Sequence, residues 1–152
     1  MCVFYFRNAL MICPLDGPVN ALSTNKEADH VVIVGRNILK IYRLEEGFKE
    51  ECNLKVGKLP TLHFSNLDVA WSHVQEDLLA SAATNGSVVL WNLHILSRNK
   101  AESTYNVHSR TVNKVCFHPT EAHYLLSGSQ DARAILFDLR KKEVALTFEK
   151  YV

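Results

Sequence analysis

Apolar and polar positions in the second half of the chain fall into short blocks separated by turn chemistry. Three apolar runs, Thr111 to Phe117, Tyr124 to Ser129 and Ala134 to Leu139, are broken by His118-Pro119-Thr120-Glu121 and by Gln130-Asp131-Ala132-Arg133. Runs of this length with such breaks predict short antiparallel strands. Pro119 has no N–H to give to a ladder and fits the turn. In the first run Val112, Lys114 and Cys116 alternate with Asn113, Val115 and Phe117, so neither face is simply polar. That mixture predicts a strand buried on both faces, with Cys116 as a small core residue.

The same pattern occurs earlier. Val69 to Leu93 superposes on Val115 to Leu139 at an offset of 46 residues without a gap. Trp71 falls on Phe117, Leu79 on Leu125, Ser81 on Ser127, Asn85 on Asp131, Trp91 on Phe137 and Asn92 on Asp138. A more degraded copy runs from His30 to Val34, through Gly35-Arg36-Asn37, and from Ile38 to Leu44, with Tyr42 at the aromatic position. The marker aromatics Tyr42, Trp91 and Phe137 are therefore 49 and 46 residues apart. A period of about 40–50 residues with several strands per unit predicts β-propeller blades.

The segments between repeats, Glu45 to Pro60 and His94 to Val107, stand where a fourth, outer strand is expected. Phe48 to Val56 can supply it in the first blade and Glu143 to Phe148 in the third. The organisation reads as an atypical segment over 1–18, a degenerate blade over 19–60, a second blade over 61–107 and a third over 108–152. The fold class is all-β, with about three blades of an incomplete propeller. An open arc of three leaves two blade faces and several strand edges uncovered, so the isolated chain is expected to be marginal, self-associating or dependent on a partner.

Composition narrows the function classes. Hydrophobic residues make up 47% and charged residues 22% of the 152, with a net charge of +1. This is globular, and no basic field directs the chain to nucleic acid or an anionic membrane. Cys2, Cys13, Cys52 and Cys116 lack metal or redox spacing and read as reduced thiols of a cytosolic protein. The apolar stretch Met1 to Cys13 is broken by Arg7 and Asn8. It is too short to span a bilayer and lacks the order of a signal peptide.

The third repeat carries His108, then Ser127-Gly128-Ser129-Gln130-Asp131, then Phe137-Asp138. These resemble the WD-repeat motif: a His near the start, a Ser-Gly-Ser-x-Asp turn and an aromatic-Asp pair. The resemblance implies a seven-bladed propeller in the parent family and a hydrogen-bonded chain through His, Ser, Asp and Trp. Carried over, that network comprises His108, Ser127, Asp131 and Phe137 in the third blade and Ser81, Asn85 and Trp91 in the second. Phe137 departs from the pattern because it has no indole N–H, so the chain of bonds is expected to stop at Ser127. His63 is a possible His equivalent in the second blade. The string RTVNKVCFHPTEAH from Arg110 to His123, with Ala83-Thr84-Asn85-Gly86 and Ser97-Arg98-Asn99-Lys100, further resembles a WD-repeat subunit family of the second GATOR subcomplex. That implies a scaffold joined to other WD-repeat subunits, acting in amino-acid signalling to TOR complex one. Its place would be the cytoplasm, reaching the lysosomal surface through partners.

Other chemistry is weaker. Ser127, His108 and Asp131 have the residue types of a nucleophile, base and acid. The exposed nucleophile elbow is missing, and a structural lock between strand ends is the stronger reading. Cys116, His118 and His123 lack a fourth ligand for a closed zinc site, and His118 reads as an ordinary turn residue. The basic residues Arg110, Lys114, Arg133, Arg140, Lys141 and Lys142 are interleaved with Glu121, Asp131, Asp138 and Glu143 and read as a mixed, solvated surface. No cofactor, metal, nucleic acid, membrane insertion or catalytic activity is expected. Ser109, Arg110, Ala132 and Arg133 are the candidate interaction loops. The alternatives are a generic WD40 adaptor of another assembly and, behind it, a serine hydrolase using Ser127.

Overall fold

The computed structural model describes residues 2–6, 9–44, 47–55 and 64–149, with side chains from Cys13 onward. Every regular element among them is a strand. A two-stranded hairpin, β1 (Cys2–Phe6) and β2 (Ala9–Cys13), precedes three four-stranded antiparallel sheets. Blade 1 comprises β3 (Val19–Thr24), β4 (His30–Gly35), β5 (Leu39–Arg43) and β6 (Lys49–Asn53). Blade 2 comprises β7 (Asn66–Trp71), β8 (Leu78–Ala83), β9 (Ser87–Asn92) and β10 (Ala101–Asn106). Blade 3 comprises β11 (Val112–Phe117), β12 (Tyr124–Ser129), β13 (Arg133–Asp138) and β14 (Glu143–Glu149). Each sheet is a simple meander, the propeller-blade pattern.

Register ties the copies together more tightly than sequence does. Tyr42 lies opposite Val31, Trp91 opposite Leu79 and Phe137 opposite Leu125, so the three marker aromatics hold one position in three sheets. The innermost pair of every blade shifts register at its first turn, between Val19 and Ala21, between Asn66 and Asp68, and between Val112 and Lys114. A bulge there adds twist to the inner strand, and its recurrence marks it as part of the blade design.

The sheets stack face on face. Val32, Val34, Leu39 and Ile41 of blade 1 meet Val69, Trp71, Leu79 and Trp91 of blade 2. Ala80, Val88, Leu90 and Tyr105 of blade 2 meet Val115, Leu125, Ile135 and Phe137 of blade 3. Each fully buried aliphatic side chain in these layers contributes roughly 1.5–3 kcal/mol. The inner strands β3, β7 and β11 run side by side.

Three expectations need correction. Cys116 is exposed, not a core residue. β11 is not buried on both faces: Val112 and Val115 face blade 2, while Asn113, Lys114 and Cys116 are exposed. The physical reason is shared, because among the described residues no sheet lies beyond blade 3. Conversely, the far face of blade 1 is not open. Val31, Ile33, Ile38 and Tyr42 are at most 4% exposed, packed with Cys13 at the end of β2 and with Leu15. His63, Val56 and the Lys58-Leu59-Pro60 linker end lie outside the described residues.

Candidate functional site

The polar groups singled out from the sequence gather at one rim of blades 2 and 3. His108 sits in the loop between β10 and β11, above the middle strand β12 that carries Ser127. Its Nδ1 is 3.0 Å from Asp131 Oδ2, and its Nε2 is 2.7 Å from Ser127 Oγ. An ionised carboxylate only accepts, so Nδ1–H donates to Asp131, while Nε2 pairs with the Ser127 hydroxyl. Asp131 also accepts from the backbone N–H of Ser109 at 3.0 Å and of Arg133 at 3.1 Å. Burial alone would raise its pKa. The hydrogen bonds from His108, Ser109, Arg133 and Ser129 outweigh that and hold the carboxyl below the ordinary value of 3.8.

Phe137 is fully buried and gives this network no hydrogen bond. Its ring lies 4.8 Å from Tyr105 of blade 2, so it serves the junction by packing. Blade 2 is tied differently. The Trp91 indole N–H donates to Ser81 Oγ at 2.9 Å, both residues being buried. Asn85 is separate from that pair: it is exposed, and its Oδ1 accepts the N–H of Ser87 at 3.2 Å within its own turn. The candidate loop residues Ser109, Arg110, Ala132 and Arg133 are all exposed at the same rim.

Asp138 is buried and held by Arg140, whose Nη2 lies 3.0 Å from Oδ2. This grip keeps the Asp138 carboxyl down to about 2. The sequence reading missed a contact between blades. Asp68 is buried on β7, accepts the N–H of Val115 at 2.9 Å, and pairs with Lys114 at 2.9 Å, both on β11. A signal was present, since Asp68 and Lys114 occupy one position in consecutive repeats with opposite charge.

A second junction device is steric. Gly86 has φ +88°, and a Cβ there would stand 2.3 Å from the carbonyl oxygen of His108. The loop that carries His108 therefore sits in the space of a missing methyl. At the matching position blade 3 has Ala132, also at positive φ, +65°.

The arrangement aligns acid, imidazole and hydroxyl as a hydrolytic triad does, but Ser127 has no exposed surface. A substrate could reach Oγ only by dismantling the sheet. The groups named for a metal site fall out differently: His118 Nδ1 accepts the N–H of Glu121 at 3.0 Å and closes its turn. No metal-binding group of His, Cys, Asp or Glu forms among the described residues. Five of the six basic residues are paired locally. Lys114 pairs with Asp68, Arg133 with Glu149, Arg140 with Asp138, Lys141 with Glu143 and Lys142 with Glu102.

The WD domain, G-beta repeat model matches residues 99–138. Residues 99–138 thus carry a WD40 repeat. The match starts before β10, the outer strand of blade 2, and ends with β13, so the WD40 sequence unit is displaced by one strand from the sheet it fills. Over 139 residues, 91% of its length, the chain is 59% identical to GATOR2 complex protein WDR24 of Danio rerio and 56% identical to that of Homo sapiens. It is 43% identical over 141 residues to GATOR2 complex protein Wdr24 of Drosophila melanogaster. The chain spans 18% of the length of each of these relatives.

Proposed function

We propose that this WD40 chain is a non-enzymatic protein–protein scaffold of a GATOR2-type assembly, joined to other WD-repeat subunits. The observation that carries the reading is the 59% identity over 91% of the chain to GATOR2 complex protein WDR24. Function resides in sites rather than in the fold, so the reading leans on this extended likeness and not on the propeller architecture alone. In this reading His108, Ser127 and Asp131 lock strand ends, Ser81 with Trp91 does the same in blade 2, and the exposed Ser109, Arg110, Ala132 and Arg133 offer the rim for contact. Phe137 fills the junction, and Asn85 shapes its turn. No cofactor takes part. The chain works in the cytoplasm, in amino-acid signalling to TOR complex one, and reaches the lysosomal surface only through its partners.

The test is affinity purification of the tagged chain from cells with mass-spectrometric identification. Recovery of the GATOR2 subunits is expected, and their absence beside an unrelated WD40 assembly would replace this reading with that of a generic adaptor. A fluorophosphonate probe addresses the hydrolase alternative. No labelling is expected, and labelling abolished by Ser127→Ala would overturn the non-enzymatic assignment.

A further inference from the structure

The turn between β8 and β9 holds the sequence's single Asn-Gly pair, Asn85-Gly86. Asparagine before glycine is prone to lose its side-chain amide, because no Cβ on the following residue shields the backbone nitrogen from the side-chain carbonyl carbon. Here both reacting groups are held. The Gly86 N–H donates to the carbonyl oxygen of Ala83 at 3.2 Å, and Asn85 Oδ1 accepts the N–H of Ser87 at 3.2 Å. The loop that enters blade 3 closes over the turn. Gly86 is buried at φ +88°, and the carbonyl oxygens of His108 and Arg110 fill the space that a Cβ on it would need. Thr111 Oγ1 donates to the carbonyl oxygen of Thr84 at 3.0 Å. Asn85 itself stays exposed to water.

We propose that Asn85 is a covalent modification site gated by the seam between blades 2 and 3. It converts to aspartate or isoaspartate when that seam opens, and the isoaspartate form no longer fits the closed seam. In the first step the Gly86 nitrogen loses its proton and bonds to Asn85 Cγ, the Cγ–Nδ2 bond breaks, and ammonia leaves. The resulting five-membered imide then takes up water at either carbonyl. Opening at Cγ restores the ordinary main chain and leaves aspartate. Opening at the Asn85 main-chain carbonyl leaves the chain routed through Cβ and Cγ, which is isoaspartate. Water enters and ammonia departs, so no oxidant or cofactor is required. Ring closure needs the Gly86 nitrogen to release Ala83 and the Asn85 side chain to release Ser87. Both movements require the loop over 108–111 to lift.

The two products differ in what they do to the seam, and the repeat shows why. Asp131 holds the position of Asn85 in blade 3, and its Oδ1 accepts the N–H of Arg133, two residues on, at 3.1 Å. A carboxylate thus closes the same turn, and the aspartate form keeps its shape. Isoaspartate adds a backbone carbon ahead of Gly86, which has no room to move because the His108 carbonyl stands against it. His108 is displaced instead, and with it the partner of Ser127 and Asp131. The modified fraction therefore records how often the seam has opened.

Peptide mass spectrometry of the full chain aged at mildly alkaline pH reads conversion at Asn85, and enzymatic methylation of the isoaspartyl carboxylate reads that product. Conversion is expected to be at least about tenfold slower in the folded chain than in the urea-unfolded chain, because only the open population reacts. Thr111→Val, which removes the bond to Thr84, should speed the folded chain at least about threefold with circular dichroism unchanged. Urea below the unfolding transition should speed it too, a probe of the gate that needs no variant. Asn20→Ala, which cuts a bond from blade 1 to the Asn66 carbonyl of blade 2, should leave the rate unchanged. In thermal melts the isoaspartate form should unfold below the unmodified chain, and Asn85→Asp beside it. No conversion in the unfolded chain would overturn the site. Equal rates in folded and unfolded chains, no response to Thr111→Val and low urea, or equal acceleration by Asn20→Ala would overturn the gate. An isoaspartate form as stable as the unmodified chain would overturn its consequence.

Discussion

Blades 2 and 3 share a backbone and a register, but they satisfy the serine on their middle strand from opposite directions. In blade 2 the Ser81 hydroxyl receives the indole N–H of Trp91 from the neighbouring strand. In blade 3 Phe137 has nothing to donate, and Ser127 turns to His108 in the loop above, with Asp131 behind it. The lesson is that the lock is conditional. What each blade requires is that its buried serine be paired, and either an indole or an imidazole meets that requirement.

The largest expected effect tests the packing half of the comparison. Trp91→Ala leaves a cavity between blades 1 and 2 and should destabilise the chain by about 3–5 kcal/mol in urea unfolding. His108→Ala comes next. It leaves Ser127 without its imidazole partner and removes the side-chain donor that reaches Asp131 from outside its own turn, a loss of about 2–4 kcal/mol. Because the two residues act as a unit, His108→Ala with Ser127→Ala should cost clearly less than the sum of the single changes. Trp91→Phe makes blade 2 imitate blade 3 without the imidazole. A loss of about 1–3 kcal/mol is expected, partly recovered by Ser81→Ala, which removes the orphaned hydroxyl.

Acid separates the two blades by charge. Asp131 has a folded-state pKa below its ordinary 3.8, so it stabilises the native state above that value. The contribution fades as pH falls through the lower, folded value. Melting of the wild type and Asp131→Asn should therefore differ at neutral pH and converge in strong acid. The smallest effect is at Ala132. Relief of a left-handed alanine is worth about 1 kcal/mol, offset in part by the greater freedom of an unfolded glycine. Ala132→Gly should raise stability by less than that, read from the shift in the denaturation midpoint.

The repeat made the inner three strands of blades 2 and 3 legible, because their apolar runs recur at a fixed offset without gaps. β10 falls within His94 to Val107, where an outer strand is expected, but its bounds are not legible. Its sequence, AESTYN, is an outer strand with alternately exposed residues and carries no apolar run. The hairpin ahead of blade 1 had no repeat partner to reveal it. Cys116 was misread for a different reason: an apolar neighbourhood in sequence says which face a residue shares, not whether anything covers that face. The aligned His108, Ser127 and Asp131 were named from the motif, but the separation of Asn85 from Ser81 was not. A turn amide can close its own loop through Ser87, and the sequence does not distinguish that local bond from a distant one.

The division of aromatic residues has a practical consequence. The chain's two tryptophans, Trp71 and Trp91, both belong to the middle blade, and both face blade 1. Ultraviolet emission excited at the red edge therefore watches a single seam. Loosening at that seam will change the signal, whereas the seam held by Phe137 can open without any direct optical trace.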